Sequence, residues 1–243
     1  MNYTGIILAA GRGSRLKKKT DEFPKCLVKF KGRTLLERVI ENLNENKIKK
    51  IHVVTGYKRN KITLPNIKKI YNRKWNRSSI MISLLCCNKI LKTNNCIISY
   101  SDILYTKKDI EVLKKMKGDI SLLSNNNWKK LWKQRFVDPL SDLETFKVKK
   151  DQLISIGEKP LSIRDIQGQY MGLIKITPNG WKKIIKHIDI FYKNKIDNLD
   201  ITNFLSTFVK NKKNKIFVKK VNTSWYEIDN QKDLIVAKKN FEK

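Results

Sequence analysis

An apolar run, Gly5 to Ala10, leads into Leu8-Ala9-Ala10-Gly11-Arg12-Gly13-Ser14-Arg15-Leu16, and nine residues beyond it stands Lys25 in Phe23-Pro24-Lys25-Cys26-Leu27-Val28. Glycine admits a close backbone approach and φ > 0 without a Cβ clash. Successive backbone N–H groups in such a turn form a concavity that binds anions. Leu8, Ala9, Ala10, Gly11, Gly13 and Ser14 therefore read as a cradle for phosphates, to which Arg15 and Lys25 add charge. Two commoner phosphate loops are excluded. No G-x-x-x-x-G-K-[ST] string is present, and the third glycine of a dinucleotide fingerprint is replaced by Leu16. The second apolar strand also ends in Gly56-Tyr57 rather than in an acid.

Carboxylates stand where such a loop needs them. Asp102 ends the apolar run Ile97-Ile98-Ser99-Tyr100-Ser101-Asp102, and Glu227 and Asp229 lie two apart in Trp225-Tyr226-Glu227-Ile228-Asp229, a spacing that places both on one face of a strand. Mg²⁺ is usually held by one or two carboxylates together with substrate phosphates and water. The competing reading is that these acids pair with surface lysines; their position at strand ends beside the loop favours metal. Glu158 and Lys159 follow a strand-like run, and Lys159 is a candidate for the phosphate of a second substrate, against the alternative of a solvated loop lysine. Trp128, Trp132 and Arg135 read equally as the lining of an acceptor pocket or as core packing. His52 and His187 have no partner in the sequence.

Strand and helix patterns alternate around these positions. Gly5–Ala9, Ile51–Thr55, Ile67–Tyr71, Cys96–Ser99 and Asp119–Ser124 read as strands. Leu35, Leu36, Val39, Ile40 and Leu43 fall at helical spacing, and Ser79–Asn88 and Lys107–Lys117 read as helices. This alternation predicts an α/β fold with a doubly wound, mostly parallel sheet and helices on both faces. Ligands of such sheets sit at the carboxyl ends of the strands, where Ala10 to Lys25, Gly56 and Asp102 fall. The second half is less regular. A hairpin over Thr145–Lys149 and Leu153–Ile156 and a strand at Tyr170–Ile176 precede helices at Trp181–Tyr192 and Ile201–Lys210. A strand at Ile216–Lys220 and a closing helix at Gln231–Phe241 follow. No linker marks a boundary, so one domain is expected, with a nucleotide-binding half (1–125) and an acceptor-binding half (126–243).

At 243 residues and 40% hydrophobic, the chain can bury a sizeable core. No apolar run is long enough to span a bilayer, and no basic-then-apolar leader opens the sequence, so a cytoplasmic location is expected. The four cysteines form no C-x-x-C pair, which argues against structural zinc. Lysine and arginine outnumber aspartate and glutamate 53 to 22, a formal charge of +31. That excess suggests either a polyanion partner or a lysine-rich composition painted over solvated faces. The lysine pairs are scattered through every region, which favours composition. No helix-turn-helix, zinc finger or RNP-type strand accompanies them, so no nucleic-acid partner is expected, and weak contact with an anionic membrane is the remaining polyanion reading.

The Leu8–Leu16 loop with Pro24-Lys25 resembles the nucleotidyltransferase family that joins NTPs to phosphorylated small molecules on a GT-A-like, Rossmann-like fold. Within it the chain is similar to the phosphocholine cytidylyltransferase branch, through Ile98-Ser99-Tyr100-Ser101-Asp102, Gly168-Gln169-Tyr170-Met171-Gly172 and Trp225-Tyr226-Glu227-Ile228-Asp229. The segment Leu131–Thr145 resembles cytidylyltransferases that act on 2-aminoethylphosphonate or phosphoglutamine. The resemblance covers nearly the whole chain. It implies that the loop and Ser101 hold CTP and that Lys25 neutralises the α-phosphate, with Arg15 and Asp102 also catalytic. The resemblance further implies that Asp102 and Asp229, with Glu227 as a third acid, bind Mg²⁺, that Gly56, Tyr57, Ser79 and Ser83 lie near the nucleoside, and that Lys159, Glu158, Arg135, Tyr170 and Gly172 face the acceptor. Many relatives carry Asn in place of Ser79, and some carry a Gly-Lys-Lys string at Gly157-Glu158-Lys159. The implied reaction is CMP transfer from CTP to a small phosphorylated or phosphonate acceptor, serving surface polysaccharide or lipid headgroup decoration, by a monomer or homodimer. The alternatives are a sugar-1-phosphate nucleotidyltransferase, a non-catalytic nucleotide-binding regulator and a polyanion-binding protein.

Overall fold

Along the first strand the apolar side chains alternate between two cores. Ile6 and Leu8 face one, and Ile7 and Ala9 face the other. A strand buried on both faces belongs at the centre of a sheet with helices on each side. In the computed structural model the strands are β1 (Tyr3–Ala9), β2 (Lys29–Phe30), β3 (Arg33–Thr34), β4 (Ile51–Thr55), β5 (Lys68–Tyr71), β6 (Asn95–Tyr100), β7 (Ile103–Leu104), β8 (Ile120–Asn125), β9 (Phe146–Lys149), β10 (Gln152–Ile156), β11 (Gln169–Ile176), β12 (Phe217–Val221) and β13 (Tyr226–Glu227). The helices are α1 (Leu35–Glu45), α2 (Ile80–Leu85), α3 (Asn88–Leu91), α4 (Lys107–Lys115), α5 (Trp128–Arg135), α6 (Pro178–Phe191), α7 (Ile201–Lys210) and α8 (Gln231–Asn240). The structure describes residues 2–136, 138, 140, 142–192 and 195–241, so Val137, Pro139 and Ser141 of the middle segment lie outside the described residues.

The main sheet has nine strands in the order β5-β4-β1-β6-β11-β8-β12-β10-β9. Only β10 and β11 run against the rest. It is the mixed, mostly parallel sheet that the alternation predicts. Met81, Leu84, Trp181, Ile184, Phe204 and Phe208 pack on one face from α2, α6 and α7. Leu36, Val39, Ile110, Leu113, Trp128 and Leu131 pack on the other from α1, α4 and α5. Among the described residues no helix is long and apolar enough to cross a membrane.

Local chemistry starts several helices where the site needs them. Thr34 caps α1 and closes a reciprocal pair with Glu37, and Asn230 does the same for α8 with Asp233. The helix expected over Ser79–Asn88 divides instead into α2 and α3, because the Cys86-Cys87 pair has low helix propensity and the Cys87 N–H bonds back three residues to Leu84. Helix α5 was not legible in the pattern. Residues 128–135 hold two tryptophans among mostly polar neighbours, and Trp128, Leu131 and Trp132 are buried only because the sheet lies beneath them.

A third, smaller core gathers Leu16, Val28, Phe30, Leu35, Leu104, Ile228 and Leu234. It ties the glycine loop to α8 from the far end of the chain. Two short antiparallel pairs, β2 with β3 and β7 with β13, belong to this region. The second sets Ile103 opposite Glu227, and the Ile228 N–H donates to the Asp102 carbonyl at 2.9 Å.

Candidate active site

Register brings the carboxyl ends of three parallel strands level. Ala9 pairs with Thr55 and Leu8 with Tyr100, so Ala10, Gly56 and Ser101-Asp102 emerge together. The Tyr57 N–H donates to the Ala10 carbonyl at 3.0 Å and locks the two loops side by side. At Gly56 a Cβ would run into Trp75 and the Ala10 carbonyl, which accounts for glycine there.

The loop turns at Gly13, where φ is +75°, into a tight helical segment from Ser14 to Thr20. Leu16 is fully buried and pins that segment down. A second short turn, Lys25–Leu27, follows Pro24 and passes directly under Gly13. A Cβ at Gly13 would lie 2.5 Å from the Lys25 Cβ. Gly13→Ala is therefore expected to lose about 2 kcal/mol or more, from positive φ and from the clash together. A denaturant midpoint at the wild-type value would contradict this close approach.

The Lys25 side chain is only 11% exposed, and its Nζ donates to Asp102 Oδ2 and to Asp229 Oδ1, each at 2.7 Å. Arg15 Nη2 reaches the same Asp229 oxygen at 2.9 Å. Burial alone would depress the Lys25 ammonium, but the two facing carboxylates outweigh it and hold its pKa above the ordinary value. Burial likewise would raise Asp229, and Lys25, Arg15 and Arg135 overcome it and hold that carboxyl low. Glu227 lies 3.6 Å from Arg135 Nη1. Burial, reinforced by Asp229 and Asp102, pushes its carboxyl up to about 8.

Two carboxylates bracketing one buried cation are a donor set that fits a divalent ion, with the ammonium standing at that point. Among the described residues no three His, Cys, Asp or Glu side chains are gathered closely enough to hold a metal unaided. Hard Mg²⁺ characteristically takes few protein carboxylates and completes its shell with phosphate oxygens and water.

A cavity of about 290 Å³ opens beside this cluster. It is lined by Leu8, Ala10, Gly11, Gly13, Arg15 and Lys25 of the first loop, by Trp75, Ser78, Ser79, Ile80 and Ser83 before and within α2, and by Tyr100, Ser101, Asp102, Glu227 and Asp229. The lining thus combines a backbone turn with two cations and a separate segment that carries an indole and three hydroxyls. That division suits a ligand with an anionic tail and a flat polar head.

Residues 5–127 match the MobA-like NTP transferase domain. Along 95% of its length the chain is 32% identical to the CTP:phosphoglutamine cytidylyltransferase of Campylobacter jejuni, covering 97% of that protein. The chain belongs to the MobA-like NTP transferase family. The fold agrees with solved structures of low sequence identity. The CTP:phosphocholine cytidylyltransferase of Streptococcus pneumoniae superimposes with a TM-score of 0.74 at 19% identity, covering 98% of this chain and 99% of its own. A putative glucose-1-phosphate thymidylyltransferase from Bacillus anthracis gives 0.78 at 18%, covering 99% and 98%.

In this nucleotidyltransferase the other sequence candidates are more dispersed. Ala9 faces the core behind the cavity and Ser14 is exposed at the start of the turn. Tyr57 packs against Trp75 with ring centroids 5.3 Å apart. Ser83 accepts from Asn72 Nδ2 at 3.0 Å, and the Ser79 N–H donates to the Asp197 carbonyl. Gly172, at φ +73°, lies under the Tyr100 ring, which meets Tyr170 edge-on at 6.0 Å. Glu158 and Lys159 are both exposed away from the cavity lining, and Glu158 pairs with Lys210 at 3.0 Å. Arg135 is buried behind the carboxylates. Sequence reasoning did not single out Trp75, Ser78 or Asp233. Trp75 sits in a polar stretch, and Asp233 shows in sequence only as the third residue of a helix cap.

Arg12, Lys17, Lys18, Lys19 and Lys58 stand exposed on the segments around the glycine loop. A field of one sign at a cleft raises the encounter rate of an anionic ligand. The kcat/KM for nucleotide is expected to fall several-fold as salt rises from roughly 0.01 to 0.15 M, while the screening length shrinks from about 30 to about 8 Å. A flat profile would show that these lysines do not steer substrate.

Proposed function

We propose that this nucleotidyltransferase is a Mg²⁺-dependent cytidylyltransferase that moves CMP from CTP to a small phosphorylated or phosphonate acceptor and releases pyrophosphate. The observation that carries the reading is the Lys25–Asp102–Asp229 cluster set against the glycine loop. The near full-length similarity to a CTP:phosphoglutamine cytidylyltransferase supports the choice of nucleotide. An acceptor of the phosphoglutamine, phosphocholine or 2-aminoethylphosphonate type fits the same similarity.

In the proposed reaction an acceptor oxygen attacks the α-phosphorus of CTP in line. The bond from the α-phosphorus to its bridging oxygen breaks, and that oxygen leaves with pyrophosphate. A phosphate monoester has its second pKa near ~6, so the attacking oxygen is largely ionised at neutral pH and needs no general base. This agrees with a cavity lining that contains no histidine. The glycine turn presents backbone N–H groups to the triphosphate. Lys25 and Arg15 neutralise charge that develops on the α-phosphate and the leaving group. Asp102 and Asp229, with Glu227 beside them, would hold the metal ion, which supplies Lewis-acid charge neutralisation. For those carboxylates to take it, the Lys25 ammonium must give up its place between them, and an incoming phosphate offers it a new partner.

A pyrophosphate-release screen of CTP, UTP, ATP, GTP and dTTP against phosphorylated amines, alcohols and sugars tests the reading. Release with CTP and a phosphorylated amine or alcohol is expected. Release with UTP or dTTP and a hexose 1-phosphate, with none from CTP, would replace it with sugar-1-phosphate nucleotidyl transfer.

A further inference from the structure

Arg135 lies behind the carboxylate cluster, with its side chain 2% exposed. Its Nε donates to Asp233 Oδ1 at 2.8 Å and its Nη2 to Asp233 Oδ2 at 3.3 Å, a planar fork closed on one carboxylate. The same Nη2 reaches Asp229 Oδ2 at 3.4 Å. Among the described residues Nη1 is buried without a hydrogen-bond partner, and its nearest acid is Glu227 at 3.6 Å. Asp233 Oδ2 also accepts the backbone N–H of Asp229 at 2.9 Å and of Asn230 at 3.1 Å. Both the side chain and the main chain of Asp229 therefore hang on the Arg135–Asp233 pair. The guanidinium is fixed from behind, 5.0 Å from the Trp132 ring and 5.1 Å from Phe136. Trp132 stacks on Trp225 at 5.9 Å, and Trp225 immediately precedes β13. Helix α5 is in this way keyed to the strand that carries Glu227.

We propose that Arg135 is a positioning residue, which with Asp233 holds Asp229 and Glu227 in the arrangement that receives the metal ion. The inference rests on the metal-dependent reading above. Arg135 does not line the cavity, so it acts through the acids and not on substrate. Without the guanidinium, Asp229 and Asp233 would lose the cation they share, and removing one partner of a buried ion pair leaves an uncompensated charge that is strongly destabilising. Only a planar guanidinium makes the fork on Asp233 while also facing two further acids. Lysine keeps the charge and loses that geometry.

The test measures Mn²⁺ binding by the loss of its free electron-paramagnetic-resonance signal, in the full chain with CTP present, for wild type, Arg135→Lys, Asp233→Asn and Asp229→Asn. Groups that orient metal ligands typically carry ~10–100-fold in affinity. Arg135→Lys and Asp233→Asn are each expected to weaken Mn²⁺ at least ~10-fold, with the KM of the acceptor that is turned over held within roughly twofold. Asp233→Asn leaves the guanidinium in place and carries the test if Arg135→Lys fails to fold. Unchanged Mn²⁺ affinity in both, with Asp229→Asn weakened, would overturn the Arg135 role alone. A raised acceptor KM with unchanged Mn²⁺ affinity would place Arg135 in the acceptor site instead. Wild-type Mn²⁺ affinity in Asp229→Asn would overturn the metal reading itself.

Discussion

Lys25→Met is expected to lower kcat for pyrophosphate release by ~10²–10³, the usual loss when one preorganised stabiliser of developing charge is removed. Methionine keeps much of the aliphatic stem that packs under Gly13 and removes the ammonium, so the loop is left in place. The ammonium lies 2.7 Å from each of two carboxylates, and its removal leaves Asp102 and Asp229 facing one another at 22% and 10% exposure. Breaking a buried pair in this way typically costs about 3 kcal/mol. The sign of the pH dependence follows. In wild type the Asp229 carboxyl is held low, so its contribution to stability is present above the ordinary carboxyl range and is lost as pH falls through the lowered value. In the variant the facing carboxylates favour taking up a proton. Its deficit against wild type is therefore expected to be larger at pH 8 than at pH 5, by paired denaturant melts. Divalent cation should restore stability to the variant more than to wild type, because it fills the place the ammonium left. A folded Lys25→Met enzyme with near-normal turnover would remove Lys25 from the mechanism.

Asp229→Asn is expected to have the larger effect, ~10³ or more in kcat. Asp229 is the acid on which Lys25, Arg15 and Arg135 all converge, at 2.7, 2.9 and 3.4 Å. The amide removes a proposed metal ligand, and whichever way it is turned its NH₂ group replaces one acceptor oxygen among three cations. Lys25 keeps Asp102, and Arg135 keeps Asp233, so the fold should survive with a lowered melting point. The readout that separates chemistry from folding is CTP affinity. The glycine turn proposed to hold the triphosphate is untouched, so nucleotide binding without metal is expected to change far less than kcat. Loss of CTP binding in equal measure would mean that Asp229 serves the nucleotide site directly.

The fold around the glycine loop was legible because its sequence signal is local. Leu8 to Leu16 and Pro24-Lys25 lie within one strand, one turn and the next, and β4 begins and ends at the expected Ile51 and Thr55. The place of Asp102 beside the loop was legible because an acid ending an apolar run has few reasons to be there. The rest depended on contacts between distant parts of the chain. Arg135 meets its acids 94 and 98 residues away, so it read equally as acceptor lining or core until α5 was seen packed against β13 and α8. Strands β7 and β13 hold two residues each, too short for any periodicity, yet they set Glu227 beside Asp102. Glu227 and Asp229 were expected to share one strand face. Instead β13 stops at Glu227, and Asp229 is fixed by the start of α8 and its Asp233 acceptor. Trp75 gave no signal, since its place beside Gly56 follows from the turn after β5.

The most direct measurement follows the label from CTP carrying ³²P at the α position, and separately at the γ position, in a reaction with Mg²⁺ and the acceptor that releases pyrophosphate. The α label is expected in the acceptor product and the γ label in pyrophosphate. Appearance of the γ label on the acceptor, or retention of the α label in CTP and its hydrolysis products, would contradict nucleotidyl transfer at the Lys25–Asp102–Asp229 site.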